Sequence, residues 1–123
     1  MGGASSMRRE QRLRRKADFE AVYRRGKAVS NQLLVLRSLS NDMDTTRFGF
    51  AVSKVVGGAV TRNRVRRRLR EIVSALPPQG GLDVVIGARK AAAGAEFDAL
   101  RRAYASLARR AGVVPAEAVP GEL

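Results

Sequence analysis

The stretch that most constrains the fold of this chain is 48–73, where the spacing of the apolar residues changes once. Bulky apolar side chains stand at alternate positions in its first part, at Phe48, Phe50 and Val52, with small side chains between them. This alternation predicts a half-buried strand with one bulky face and one thin face. A pair of glycines ends the alternation, and helical spacing follows.

The helical part of this stretch combines an apolar stripe with dense positive charge. The stripe consists of Val65, Leu69, Ile72, Val73 and Leu76, which fall on one side of a helix. Six of the nine positions 62–70 are arginine. We therefore expect one side of the helix to pack on a core, while much of its remaining surface is strongly basic.

The charge balance of the whole chain indicates a polyanionic partner. The 123 residues include 24 Lys and Arg but only 11 Asp and Glu, which gives a net charge of +13. Such an excess favours binding to a phosphate backbone, because bound arginines release its counterions. Nucleic acid is the leading candidate. An anionic membrane is the other, although no stretch approaches the roughly 20 apolar residues of a membrane span.

The residue types that are missing exclude several kinds of catalytic site. The chain has no Cys and no His, so disulfides, zinc-finger motifs and Cys or His nucleophiles and bases are ruled out. The carboxylates are few and scattered, which gives little support to a two-carboxylate hydrolytic site. The first residues lack the apolar segment of a secretory signal, and we expect a cytoplasmic location.

The pattern predicts an α/β sandwich, with three helices on a small, mostly antiparallel sheet, in the order α, one or two β, β, α, β, α. Helices are expected at 17–25, through the arginine-rich segment, and at 96–111. Strands are expected within 27–39, at Phe48, and at Leu82–Ala88. We expect the Phe48 strand to pair antiparallel with the strand before it.

One domain is expected at 8–112, with a disordered extension at 1–7 and a disordered tail at 113–123. The segment 8–16 has six basic residues in nine positions, which is typical of a solvated or flexible face. It leads into the first helix, whose rings Phe19 and Tyr23 are either core residues or platforms that stack on a base.

Read from Gly49 to Glu71, the chain resembles the signature of the bacterial ribonuclease P protein subunit. The matching residues are GFAVSK at 49–54, RNR at 62–64 and RRLRE at 67–71. The first helix, with Asp18 and Phe19, and the IGARK block at 86–90 also resemble that family. The likeness covers about 8–112, and RNR is specific in this strand, loop and helix context.

The resemblance implies a fold like domain 2 of ribosomal protein S5, with a left-handed central β-α-β crossover in place of the general right-handed one. It also implies that the RNA subunit, using Mg²⁺, cleaves precursor tRNA. In this division of roles, the protein binds the RNA subunit and holds the 5′ leader in a cleft between the first helix and the sheet. The implied partners are ribonuclease P RNA and precursor tRNA, with no membrane and no small-molecule substrate. No catalytic residue, metal ligand or cofactor is expected in the protein itself.

The resemblance assigns two sets of binding residues. The set implied to contact the RNA subunit is Lys54, Arg62, Asn63, Arg64, Arg66, Arg67 and Arg70. The set implied to contact the leader is Arg12, Phe19, Tyr23, Arg37, Arg89 and Lys90. The family often has a lysine at the position of Val55 and an aromatic at the position of Arg37. Arg37 would then act as a stacked planar cation or as a phosphate ligand.

Other classes remain open. A general structured-RNA-binding protein of ribosomal type shares the charge but needs no leader cleft. A membrane-active cationic protein fits poorly with the mixed α/β pattern. A stand-alone nuclease has the least support. The arginines of the last helix are interpreted as a solvated face; they are Arg101, Arg102, Arg109 and Arg110.

Overall fold

The structure, a computed structural model, describes residues 7–115. Its helices and strands are α1 (Lys16–Arg25), β1 (Lys27–Ser30), β2 (Leu34–Ser40), β3 (Arg47–Ala51), α2 (Ala59–Ala75), β4 (Leu82–Ala88) and α3 (Phe97–Arg110). Short 3₁₀ turns at Arg9–Gln11 and Lys90–Gly94 precede α1 and α3. The predicted fold class and order of elements are confirmed, and the short first strand is present.

The strands form one sheet in the order β1-β2-β4-β3. β2 is antiparallel to β1 and to β4, whereas β3 and β4 are parallel. The prediction that the Phe48 strand pairs with the strand before it is therefore wrong. β4 lies between the two because residues 83–86 are buried on both faces, which suits a central strand. The left-handedness of the β3–α2–β4 crossover stays a prediction.

The sheet separates two apolar layers of unequal size. On one face, buried side chains of the sheet pack under α2 and α3; among them are Leu34, Leu36, Val84 and Ile86. On the other face, Val85 packs with Val22 of α1 and with Leu13. The second layer is small, so α1 covers only part of its face of the sheet.

A side chain of α1 packs against β3 at a position where β3 has no side chain. A Cβ built on Gly49 would lie 2.4 Å from Cζ of Phe19 and 3.2 Å from Cβ of Leu13. The ring of Phe19 therefore occupies the space that a side chain at Gly49 would need. The thin face predicted for this strand is the surface on which α1 sits.

A polar network holds the start of β3 to the start of β4. Arg47 donates to both carboxylate oxygens of Asp83, at 2.9 Å from Nε and 2.7 Å from Nη2. Asn41 donates to the same carboxylate at 2.9 Å, and Asp18 of α1 lies 3.5 Å from the Arg47 guanidinium. The hydrogen bond with Asp83 raises the pKa of Arg47, in opposition to desolvation. Because Asp83 is buried, this bidentate pair fixes the parallel register.

The buried core includes residues beyond the predicted domain limits at both ends. Met7 falls within the predicted extension, and Val113 and Val114 fall within the predicted tail. All three are buried in the main core, because their apolar side chains remove surface from water. The rest of the predicted extension and tail, 1–6 and 116–123, lies outside the described residues.

Tyr104 of α3 is fully buried, as the helical spacing predicts. Its hydroxyl group has no hydrogen-bond partner among residues 7–115. Burial raises the pKa of this phenol above its ordinary value of 10.0.

Gly49→Ala should lower the free energy of unfolding by about 1–3 kcal/mol, because the new methyl group overlaps the Phe19 ring and displaces α1. Chemical denaturation measures this difference. Gly94→Ala is the matched control, since nothing lies within 4 Å of a Cβ at that position, and it should stay within about 0.5 kcal/mol of the wild type. Equal stability of the two variants would contradict the close approach of α1.

The folded protein should lose stability as the pH rises above 10.0, the ordinary pKa of tyrosine. The unfolded chain releases the Tyr104 proton there while the folded chain retains it, so ionisation favours unfolding. Tyr104→Phe should therefore lose less stability than the wild type between about pH 9 and about pH 11 in denaturant titrations. Tyr23→Phe keeps Tyr104 and should keep the wild-type loss. Identical pH profiles for wild type and Tyr104→Phe would refute this assignment.

Candidate nucleic-acid interface

α2 separates its apolar and charged residues as the spacing predicts. Its buried residues are Val65, Leu69, Ile72 and Val73. Its arginines are half-buried or exposed, and no acidic residue stands in its first turn. The charge on the outer surface of α2 is therefore available to an anionic ligand.

Three arginines of α2 are fixed by backbone oxygens. Arg62 donates to Gly57 at 3.1 Å, Arg64 to Ala93 at 3.2 Å and Arg68 to Ala95 at 3.3 Å. A guanidinium has several N–H donors, so each of these side chains can bind a ligand while it holds a loop. Ordering these side chains before binding lowers the entropy cost of binding. Arg68 was not among the predicted site residues, because its spacing alone did not reveal this bond.

The other cations of this surface are less constrained. Arg66 donates to Oδ1 of Asn63 at 2.9 Å, which leaves the Asn63 amide group free to donate. Lys54 and Arg67 are exposed, and within residues 7–115 neither makes a side-chain hydrogen bond or ion pair. Unpaired, solvated cations of this kind suit a phosphate backbone.

Two exposed valines stand beside these cations. Val55 is 67% exposed and Val60 is 81% exposed, and both lie within the stretch from Lys54 to Arg62. Exposed apolar side chains next to cations fit the mixed chemistry of a sugar and its phosphate. Sequence reasoning did not select Val60, because an exposed valine and a buried one look alike without the fold.

A second candidate surface is the shallow groove beside α1. Val35, Ala51 and Gly87 share the α1 face with Val85, by the alternation of the strands. They are half-buried rather than covered. Because their side chains are small or absent, a ligand in this groove can approach the backbone of the sheet.

A stacked pair forms the rim of this groove. The guanidinium carbon of Arg37 lies 4.9 Å from the centre of the Tyr23 ring, within the range of a cation–π contact. Tyr23 is 47% exposed, and Arg37 pairs with Val85 in the sheet register. Phe19 packs on Gly49 farther along α1. Of the two predicted rings, Tyr23 is thus the more exposed, and Phe19 is half-buried.

Three cations follow the C-terminal ends of the two parallel strands. Arg89 and Lys90 are exposed directly after β4, and Lys54 follows the end of β3. Because β3 and β4 are parallel, their final residues lie at the same end of the sheet. The two residue sets predicted separately therefore meet here, with Lys54 from one and Arg89 and Lys90 from the other.

The two sets also meet along the outer edge of β3. Arg12, Arg66, Arg70 and Phe19 line one groove of about 290 Å³. The Arg70 guanidinium carbon lies 6.0 Å from the centre of the Phe50 ring. The arginines of α2 and the side chains near α1 thus form neighbouring parts of one basic surface.

Among the described residues, no helix is long and apolar enough to cross a membrane. In the same part of the chain, no three His, Cys, Asp or Glu side chains come together as a potential metal site.

The comparison with known proteins points to one family. The family model described as ribonuclease P matches residues 7–112. The ribonuclease P protein component of Gluconacetobacter diazotrophicus is 43% identical over 113 residues, which cover 89% of this chain and 97% of that protein. The ribonuclease P protein component of Clostridium kluyveri is 38% identical over 106 residues, with 83% and 95% covered.

A solved structure shares the fold. The RNase P protein of Staphylococcus aureus superposes with a TM-score of 0.77 at 29% identity. The match covers 84% of this chain and 96% of that protein.

Proposed function

The chain belongs to the ribonuclease P protein family, and from this premise we propose how its surfaces divide the binding of RNA. It is the protein subunit of an endoribonuclease that acts in tRNA 5′ processing, where RNA is the catalyst and the protein has an RNA partner. In the proposal, α2 binds the RNA subunit and the groove beside α1 binds the 5′ leader of precursor tRNA. The Mg²⁺ used in cleavage belongs to the RNA subunit.

The α2 surface supplies the chemistry for binding a folded RNA. Arg62 and Arg64 are already oriented by backbone oxygens, and Arg67 is unpaired among the described residues. Their planar guanidinium groups match phosphate oxygens. The free amide donor of Asn63 can bind a base edge or a sugar hydroxyl. This surface therefore combines backbone binding with one group capable of specific recognition.

The groove beside α1 suits a single strand. The small side chains on the sheet surface of the groove let a nucleotide backbone approach the sheet. Tyr23 offers an exposed ring for stacking. Arg37 stacks on one face of that ring, so it adds a cation beside the stacking platform. We expect phosphate contact to contribute more here than it would with an aromatic residue at position 37.

The mechanism follows from joining the two surfaces. Once α2 holds the protein on the RNA subunit, binding of the leader becomes an intramolecular event with a high effective concentration. Precursor tRNA gains this contact, and mature tRNA, which lacks the leader, does not. The observation that carries the proposal is the Tyr23–Arg37 pair on the rim of the groove beside α1, where Val35, Ala51 and Gly87 are only half-buried.

Tyr23→Ala should weaken holoenzyme binding of precursor tRNA by about 1–3 kcal/mol, because one stacking platform is lost. Binding of mature tRNA should not change. Titrations with both substrates, under conditions that block cleavage, measure the two affinities. Phe97→Ala is the matched control, since Phe97 is also a partly exposed ring, 36% exposed, but lies on α3. Equal weakening of precursor and mature tRNA would favour a general RNA-binding protein instead.

Arg67→Gln should weaken binding to the RNA subunit and lower the slope of log affinity against log salt by about 1, as expected for one lost phosphate contact. Filter binding over a salt series measures both. Arg102→Gln removes an exposed helical arginine from α3, where Asp98 already lies 3.3 Å from the guanidinium, and should leave affinity and slope unchanged. An unchanged slope for Arg67→Gln would remove Arg67 from the interface.

A further inference from the structure

The N-terminal segment 7–15 is an ordered part of the fold and is docked on the edge of β3. The Leu13 N–H donates to the Phe48 carbonyl oxygen at 2.9 Å, and Arg12 forms a parallel bridge with Phe48. Met7 and Leu13 are buried. Of the two expectations for this basic run, a solvated or a flexible face, the solvated one agrees with its exposed arginines, which extend from a backbone that is hydrogen-bonded to β3.

These arginines surround an open concavity of about 430 Å³ between the segment, the start of α1 and the turn before β3. The segment contributes Arg9, Arg12, Arg14 and Arg15 to its lining. Two carboxylates also line it, Glu10 and Asp18. Asp18 is already engaged with Arg47, so positive charge dominates the concavity.

Arg9, Arg14 and Arg15 lack partners within the described chain. All three are exposed, and their side chains make no hydrogen bond or ion pair with residues 7–115. Closely spaced unpaired cations repel one another, and a polyanion relieves that repulsion. None of the described lining residues is aromatic, so the concavity offers charge without a stacking platform.

The concavity is continuous with the surface of α2. Arg12 and Arg14 line it and also line the groove along β3, where Arg66 and Arg70 of α2 stand. A phosphate backbone that follows the arginines of α2 can therefore continue past β3 onto the N-terminal segment, because arginines of both elements line the groove between them.

We propose that segment 7–15 is a second binding element for the RNA subunit, in which Arg9, Arg14 and Arg15 contact its phosphate backbone without reading bases. This inference rests on the proposed function, because it extends the surface assigned to α2. It differs from that assignment in placing the contact on the N-terminal segment docked at the edge of β3, on residues outside the RNR motif.

The position of α1 favours the RNA subunit over the leader as the occupant. The first turn of α1 reaches the Arg47 end of the sheet through Asp18. The open floor of the leader groove lies at the other end of the same strands, at Ala51 and Gly87. A leader in that groove is thus separated from the concavity by α1, whereas the α2 surface reaches it directly along β3.

The test measures binding of the full-length protein to the RNA subunit alone, in a salt series without tRNA. The triple variant Arg9→Gln/Arg14→Gln/Arg15→Gln should bind at least about tenfold more weakly, with the salt slope reduced by about 2–3. Arg9→Lys/Arg14→Lys/Arg15→Lys keeps the charge and should restore most of the affinity and the slope. Thermal melting of both variants should match the wild type, because all three side chains are exposed.

The matched control removes three charges from α3 instead, as Arg101→Gln/Arg102→Gln/Arg110→Gln. It should retain wild-type affinity for the RNA subunit. If both glutamine triples weaken binding equally, net charge explains the effect and the inference fails. If the N-terminal glutamine triple binds the RNA subunit like the wild type, the inference also fails, while the assignment of α2 stands.

A second measurement separates the two possible RNA sources. With saturating protein, the ratio of precursor to mature tRNA affinity should be the same for the wild type and the N-terminal glutamine triple. A lower ratio in the variant, with normal binding to the RNA subunit, would place the leader on this segment and overturn the inference. Failure of the wild-type protein to bind the RNA subunit at all would overturn both the proposed function and this extension.

Discussion

The packing of Phe19 on Gly49 is the contact on which the groove depends. The Phe19 ring of α1 packs against the backbone of β3 at Gly49, and Leu13 of the N-terminal segment packs at the same point. This contact sets the height of α1 above the sheet and leaves Val35, Ala51 and Gly87 half-covered beside it. It also brings the arginines of the N-terminal segment close to those of α2.

Local structure was predictable from the sequence because its causes are local. The change from alternating to helical spacing located β3 and α2, and the β-branched run located β4 at Leu82–Ala88. The pairing of the strands was not predictable in the same way. In the sheet β4 lies between β2 and β3, although in the chain it follows both of them and α2. The bidentate contact of Arg47 with Asp83 joins positions far apart in sequence, and neither residue is unusual in its local pattern.

The candidate site was predictable as a set of residues but not as an arrangement. A run of arginines indicates a basic surface, yet only the fold separates Arg64, which holds a loop carbonyl, from Arg67, which is unpaired among the described residues. The stacking of Arg37 on Tyr23 depends on where α1 crosses β2. Lys54 and Arg89 follow strands that end on the same side of the sheet, because β3 and β4 are parallel. Residues assigned to two different ligands therefore share one end of the sheet.

The measurement that tests the central claim most directly compares the binding of precursor tRNA and mature tRNA to a bacterial ribonuclease P RNA. It is made with and without this protein, in Ca²⁺ to suppress cleavage. The leader groove requires the protein to tighten binding of the precursor much more than binding of the mature tRNA. If the protein tightens the binding of both tRNAs equally, or of neither, the result would contradict a leader-binding role for the groove beside α1.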